Sequence, residues 1–173
     1  MRSKLPMDIW KEKSEELMKK IIEHPLFQNA ATIYGYLSYS REVDTWALLS
    51  YALESGKNVA VPKVLGTEME FYYIENLQEV QAGIKGIYEP VGDADRLAKD
   101  EYALIIMPVV GFDKDRTRIG YGGGYYDKYL QKHPKHPTMG IAFSLQETEP
   151  IPTEETDWKP DIIVTETKEV RKS

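Results

Sequence analysis

The feature that most constrains this chain is residues 102–110, Tyr-Ala-Leu-Ile-Ile-Met-Pro-Val-Val, a run with no charge and no alternation. A strand with one wet face alternates apolar and polar side chains, whereas an unbroken run of this kind suits a strand covered on both faces. Even extended to Phe112 it falls well short of the roughly 20 apolar residues that a membrane helix needs. The rest of the chain must therefore supply layers for both sides of a sheet.

Those layers are readable. In residues 8–23 the apolar positions Ile9, Trp10, Leu17, Met18, Ile21 and Ile22 recur at helical spacing among Lys and Glu, and Pro25 ends that helix. Residues 31–38, with Ile33, Tyr34 and Tyr36, predict a strand, after which Asp44 or Thr45 caps a second helix running to Leu53 and closed by Gly56. Residues 58–64 and 69–74 predict strands around a turn at Gly66, and residues 138–143 and 161–165 predict two more. Residues 125–131 suit a short helix, ended by the His133-Pro134 and His136-Pro137 pairs. Residues 75–100, with Gly83, Gly86, Pro90 and Gly92, read as loops over a sheet edge. The expectation is an α/β fold, a single domain over residues 1–173, with a mostly parallel or mixed sheet and helices on both faces. In open sheets of this kind ligands bind beyond the carboxyl ends of the strands.

Composition narrows the chemistry. Hydrophobic residues at 42% and charged residues at 29% are globular proportions. The absence of cysteine excludes disulfides, thiolate catalysis and zinc-thiolate sites. Residues 1–20 are studded with Lys, Glu and Asp and lack an apolar signal core, so the cytoplasm is the expected compartment and no membrane partner is expected. A net charge of -6 argues against a nucleic-acid partner. Small anionic substrates would need a local cluster of cations or a metal ion.

The chemistry concentrates in Arg118-Ile119-Gly120-Tyr121-Gly122-Gly123-Gly124-Tyr125-Tyr126-Asp127, which follows the buried run and leads into a helix. Glycines at 120, 122, 123 and 124 remove side chains where backbone N–H groups can converge on phosphate oxygens, and a helix starting near Gly124 adds its positive end. Arg118 offers a bidentate phosphate contact, and Asp127 a hard oxygen for Mg2+. The same glycines also suit a tight turn that packs Tyr125, Tyr126 and Tyr129 on the core. No Gly-Lys-Ser/Thr follows at the spacing of a Walker A loop, so ordinary P-loop kinases and GTPases lose support. The three histidines, His24, His133 and His136, form no metal-like cluster with carboxylates and are expected at surface turns.

The segment Met107-Pro108-Val109-Val110-Gly111-Phe112-Asp113, followed by residues 118–130, resembles the signature of the 5-formyltetrahydrofolate cyclo-ligases, also called methenyltetrahydrofolate synthetases. Glu42-Val43-Asp44-Thr45, Val61-Pro62-Lys63, Gly86-Ile87-Tyr88-Glu89-Pro90, Phe143 with Gln146, and Asp157 match in the family's order. The resemblance implies an ATP- and Mg2+-dependent ring closure of 5-formyltetrahydrofolate, with 5-formyltetrahydrofolate and ATP as the small-molecule substrates. It implies that Arg118, Gly120, Gly122, Gly123, Gly124, Tyr126 and Lys63 hold ATP, and that Asp127 and Asp157 are the Mg2+ ligands. Glu42 and residues Tyr121, Gly122, Gly123, Gly124 and Tyr125 would face the folate, with Tyr125 and Arg118 at the reacting groups. The likeness is weakest at the start, where family members carry a longer helical segment whose Lys and Arg reach ATP; here Arg2 and Lys4 stand before the Leu5-Pro6 step. Two other readings fit parts of the pattern: a folate- or nucleotide-binding paralogue without turnover, and a sugar-phosphate isomerase-like enzyme that needs no ATP.

Overall fold

The computed structural model describes residues 5–83, 86–120, 123–154 and 157–172. Helix α1 (Met7–Glu23) and the short α2 (Pro25–Gln28) precede β1 (Thr32–Tyr34), α3 (Trp46–Glu54) and the hairpin of β2 (Asn58–Leu65) and β3 (Glu68–Ile74). A small hairpin of β4 (Val80–Ala82) and β5 (Tyr88–Pro90) follows, then β6 (Leu104–Pro108) and a second small hairpin, β7 (Gly111–Phe112) with β8 (Arg118–Ile119). Helix α4 (Tyr125–Lys132), β9 (Thr138–Ile141), β10 (Ile162–Val164) and β11 (Glu169–Arg171) complete the order.

The main sheet has seven strands in the order β11-β10-β9-β6-β1-β2-β3. Its five inner strands are parallel, and the two edge strands, β3 and β11, are antiparallel to their neighbours. The uncharged run becomes β6, buried throughout at the centre. Its side chains divide with the two-residue strand period. Leu104 and Ile106 join Ile33, Val59, Leu17 and Leu49 in one core, beneath α1 and α3. Ile105 and Met107 join Tyr34, Ala60, Phe71 and Leu130 in the other, beneath α4. Helices thus cover both faces, as expected.

From β1 the chain steps outward to β2 and then returns past β1 to β6, from which it continues the other way to β9 and β10. The order reverses between β1 and β6. A crevice opens at the carboxyl ends of two strands whose connections leave in opposite directions, which is where ligands bind in such sheets.

Several expectations need correction. Pro25 does end α1, but it also opens α2, where a missing N–H costs nothing, and the His24 side chain caps that turn by accepting from Leu26 N at 3.1 Å. The strand expected over residues 31–38 stops at Tyr34. The segment beyond it is held by side chains instead: Thr45 Oγ1 donates to Tyr36 O at 2.5 Å, and Ser38 and Thr45 exchange backbone-to-hydroxyl bonds of 3.0 and 3.1 Å. Of the two candidate caps of α3, Thr45 holds the cap position without a side-chain bond to the helix, while Asp44 accepts from Trp46 N at 3.0 Å. The region read as loops contains the β4–β5 hairpin. His24 and His136 are buried rather than surface residues; His136 Nδ1 lies 2.8 Å from Ala103 O, and burial pushes its pKa down.

Candidate active site

At the end of β6 the chain doubles back: Val110 N donates to Ile119 O at 2.8 Å, setting the β7–β8 hairpin that carries Arg118. Two buried polar side chains fix this hairpin. Asp113 accepts from Asp115 N and Thr117 N at 2.9 and 3.0 Å and from Ile151 N at 2.8 Å. Burial works against its charge, yet the amides of Ile151, Thr117 and Asp115 prevail and hold its pKa below the usual carboxylate range. Gln146, only 2% exposed, donates to Val109 O and Val110 O at 2.8 and 2.9 Å and accepts from Phe143 N at 2.8 Å. It ties the chain after β6 to the chain after β9. Both residues stand in the family-like segments, and their local signal is slight: a polar side chain one residue after Phe112 and another three after Phe143.

The Arg118 side chain is only 8% exposed. Its Nη1 donates to Pro108 O at 3.2 Å, its Nη2 lies 4.0 Å from Asp127 Oδ1, and the guanidinium sits 5.6 Å from the centre of the Tyr126 ring. Its buried Nε–H has no hydrogen-bond partner among the described residues. Burial lowers the guanidinium's pKa while Asp127, Tyr126 and Asp157 oppose that, and an arginine stays charged at any physiological pH. A buried cation with an unmet donor is suited to an anion that completes its bonding.

The glycines beside it suit their places for two different reasons. A Cβ at Gly120 would stand 2.8 Å from Arg118 Nη1, and one at Gly123 would stand 2.3 Å from the Tyr125 ring. Gly124 meets nothing there, but its φ of +65° is left-handed backbone that favours glycine. It precedes α4, and among the described residues no side-chain bond from Gly124 caps that helix start, whose backbone dipole presents its positive end there. Tyr126 anchors the turn from below, its ring 6.3 Å from Phe71 in the second core.

Arg118, Gly120, Gly123, Gly124, Tyr125, Tyr126, Asp127 and Asp157 all line one cleft of about 660 Å³, which Pro108 joins to the end of β6. Asp127 Oδ1 accepts from Trp158 N at 2.9 Å, drawing the segment that carries Asp157 against the first turn of α4. Among the described residues no three His, Asp or Glu side chains gather into a metal cage. Mg2+ rarely needs one, since it keeps several waters and takes one or two carboxylates together with substrate phosphates. Two aspartates, an uncapped helix start and a buried arginine fit a magnesium-bound polyphosphate.

Two expected residues stand outside that lining. Glu42, 6% exposed, closes a turn in the chain after β1. Its Oε1 accepts from Tyr39 N at 2.6 Å, and its carbonyl accepts from Trp10 Nε1 of α1 at 2.8 Å. That turn, with Ser40 at φ 55°, borders a second hollow of about 460 Å³ walled by Tyr39, Trp46 and Tyr88. Trp46 packs on the first core and Tyr125 on the second, so hollow and cleft adjoin opposite faces of the sheet. Lys63 is paired with Glu89 at 2.8 Å and also donates to Pro90 O at 3.4 Å. Tyr121, Gly122, Arg2 and Lys4 lie outside the described residues.

The fold and the cleft together define a doubly wound α/β protein with a glycine-rich cleft, holding a buried arginine, beyond the carboxyl end of its central strand β6. The model of the 5-formyltetrahydrofolate cyclo-ligase family matches residues 1–166, and the chain belongs to that family. It is 32% identical to a probable 5-formyltetrahydrofolate cyclo-ligase of Schizosaccharomyces pombe, over 97% of this chain and 91% of that one. It is 31% identical to the 5-formyltetrahydrofolate cyclo-ligase of Escherichia coli, over 91% and 90%. Among solved structures, the 5,10-methenyltetrahydrofolate synthetase of Aquifex aeolicus superposes with a TM-score of 0.84 at 31% identity, covering 98% of this chain and 86% of that one. Among the described residues no helix is long and apolar enough to cross a membrane.

Proposed function

We propose that this chain closes the ring of 5-formyltetrahydrofolate to give 5,10-methenyltetrahydrofolate, consuming ATP and releasing ADP and phosphate. The observation that carries the reading is that a family match running over residues 1–166 coincides with a single cleft holding Arg118, the glycine turn, Asp127 and Asp157. A formamide oxygen is a poor leaving group. In the reaction it takes the γ-phosphoryl group of ATP, with ADP leaving; nitrogen-10 of the folate then attacks the formyl carbon, gives up its proton and expels phosphate. Little covalent work falls to the protein, so its task is alignment and charge stabilisation.

In this reading Arg118 binds the polyphosphate with its unmet Nε–H and its η nitrogens, and the α4 amides beside Gly124 take further oxygens. Asp127 and Asp157 hold Mg2+, which when bound draws negative charge off the phosphates. Tyr125 lines the cleft at the reacting formyl group. The pterin itself carries the formyl group, so in this reading its ring spans the crevice at the carboxyl ends of β1 and β6, from Tyr125 on one side to the aromatic walls of the hollow, Tyr39, Trp46 and Tyr88, on the other, with the carboxylate of the Glu42 turn matched to its donor edge. Mixing the protein with 5-formyltetrahydrofolate, Mg2+ and ATP should raise the ultraviolet absorbance of the methenyl product, and omitting ATP should abolish the rise. Product formed without ATP, or none formed with it, would overturn this reading.

A further inference from the structure

The wall of the aromatic hollow is held in place from behind. Tyr88 belongs to β5, a three-residue strand paired among the described residues with β4 alone, and β5 lies along the end of β2 rather than inside the main sheet. A short two-stranded hairpin has little stability of its own. Tyr88 and Gly86 face the hollow, and the Tyr88 ring meets Trp46 edge-on at 5.3 Å. The next residue, Glu89, is held between two partners. A Cβ on Gly83 would stand 2.8 Å from its carboxyl carbon, and its Oε1 receives the Lys63 ammonium at 2.8 Å. Lys63 in turn reaches Pro90 O at 3.4 Å, and its stem passes so close to Gly92 that a Cβ there would stand 2.9 Å from Lys63 Cδ.

This pair is half-buried, with side-chain exposures of 18% and 25%, and both residues stand outside the lining of the phosphate-type cleft. We propose that Lys63 and Glu89 form a latch that fixes the β4–β5 hairpin to β2 and so sets Tyr88 at the folate hollow, making Lys63 a positioning residue for folate rather than a phosphate ligand. The proposal rests on the hollow being the folate site. A lysine whose ammonium is neutralised by a carboxylate at this distance offers a phosphate little charge. Orientation of one aromatic wall, in contrast, is worth a measurable part of an aromatic ligand's binding.

The test is equilibrium dialysis of 5-formyltetrahydrofolate without ATP, together with separate KM values for folate and ATP, on Lys63→Met, Glu89→Gln and the double reversal Lys63→Glu with Glu89→Lys. Thermal melts first establish that each variant folds. The latch predicts that each single variant weakens folate binding and raises the folate KM by about fivefold to twentyfold, between the loss of an exposed pair and that of a buried one. The ATP KM and kcat should stay near the parent's, and the double reversal should restore most of the folate affinity. A Lys63→Met variant that loses ATP affinity with Glu89→Gln unaffected, singles that bind folate like the parent, or a double reversal no better than the singles would each overturn the latch. Failure of the parent protein itself to bind folate would instead overturn the assignment of the hollow on which the latch depends.

Discussion

At the residue scale, Arg118 and Asp127 each have a structural partner in the cleft, so a useful variant must separate support from chemistry. Replacing Arg118 with alanine removes a buried guanidinium and should cost about 2–4 kcal/mol in transition-state stabilisation, read from kcat/KM. Lysine should recover only part, since a point charge lacks the planar fork. Asp127→Asn keeps an oxygen able to accept from Trp158 N but loses the negative charge Mg2+ prefers. We expect a nearly normal melting temperature, most activity lost, and partial recovery as Mg2+ is raised; full activity at limiting Mg2+ would leave the aspartate a purely structural residue. The two glycines should fail differently. In Gly123→Ala the new methyl collides with the Tyr125 ring, so activity falls, whereas Gly124→Ala meets open space and costs about 1 kcal/mol of stability through its left-handed backbone.

At the element scale, the sequence announced strands and helices far better than the clamps between them. The uncharged run became β6 and the glycine-tyrosine stretch led into α4, because burial on two faces and helix-start chemistry both leave local patterns. The side-chain network of Tyr36, Ser38 and Thr45 that ends β1 leaves none, since its partners stand seven to nine residues apart and only the fold aligns them. The same holds for Gln146, whose partners are 36 and 37 residues away, and for Trp10, which reaches the Glu42 turn from 32 residues upstream. Lys63 shows the converse. The motif around it was legible, but its Glu89 partner came from a hairpin the sequence read as loop. Gln146→Leu should therefore cost about 2–3 kcal/mol by removing the side-chain bonds to Val109 O and Val110 O and stranding Phe143 N, and should lower activity by loosening the hairpin that carries Arg118. A chemical melt and a rate measured on the same sample check both.

At the scale of the whole molecule, stability and reaction each have a direct readout. Burial lowers the pKa of His136, so the unfolded chain binds its proton more readily; this contribution is intact above the ordinary value of 6.5 and fades as the pH falls below it. Asp113 and Glu166 have lowered pKa values. Burial opposes both charges, but the backbone amides on Asp113, and Lys13 with Ser144 on Glu166, prevail. Their contribution is present above the ordinary carboxylate range and is lost as the pH falls through it. Melting temperature should accordingly decline in two stages on acidification, and His136→Gln, whose amide can still donate to Ala103 O, should flatten the first stage only. The central claim is that the formyl oxygen itself accepts the phosphoryl group in the Arg118 cleft. Substrate labelled with oxygen-18 in its formyl group tests it most directly: one turnover should place the label in the released phosphate, and label appearing in water instead, with unlabelled phosphate, would contradict it.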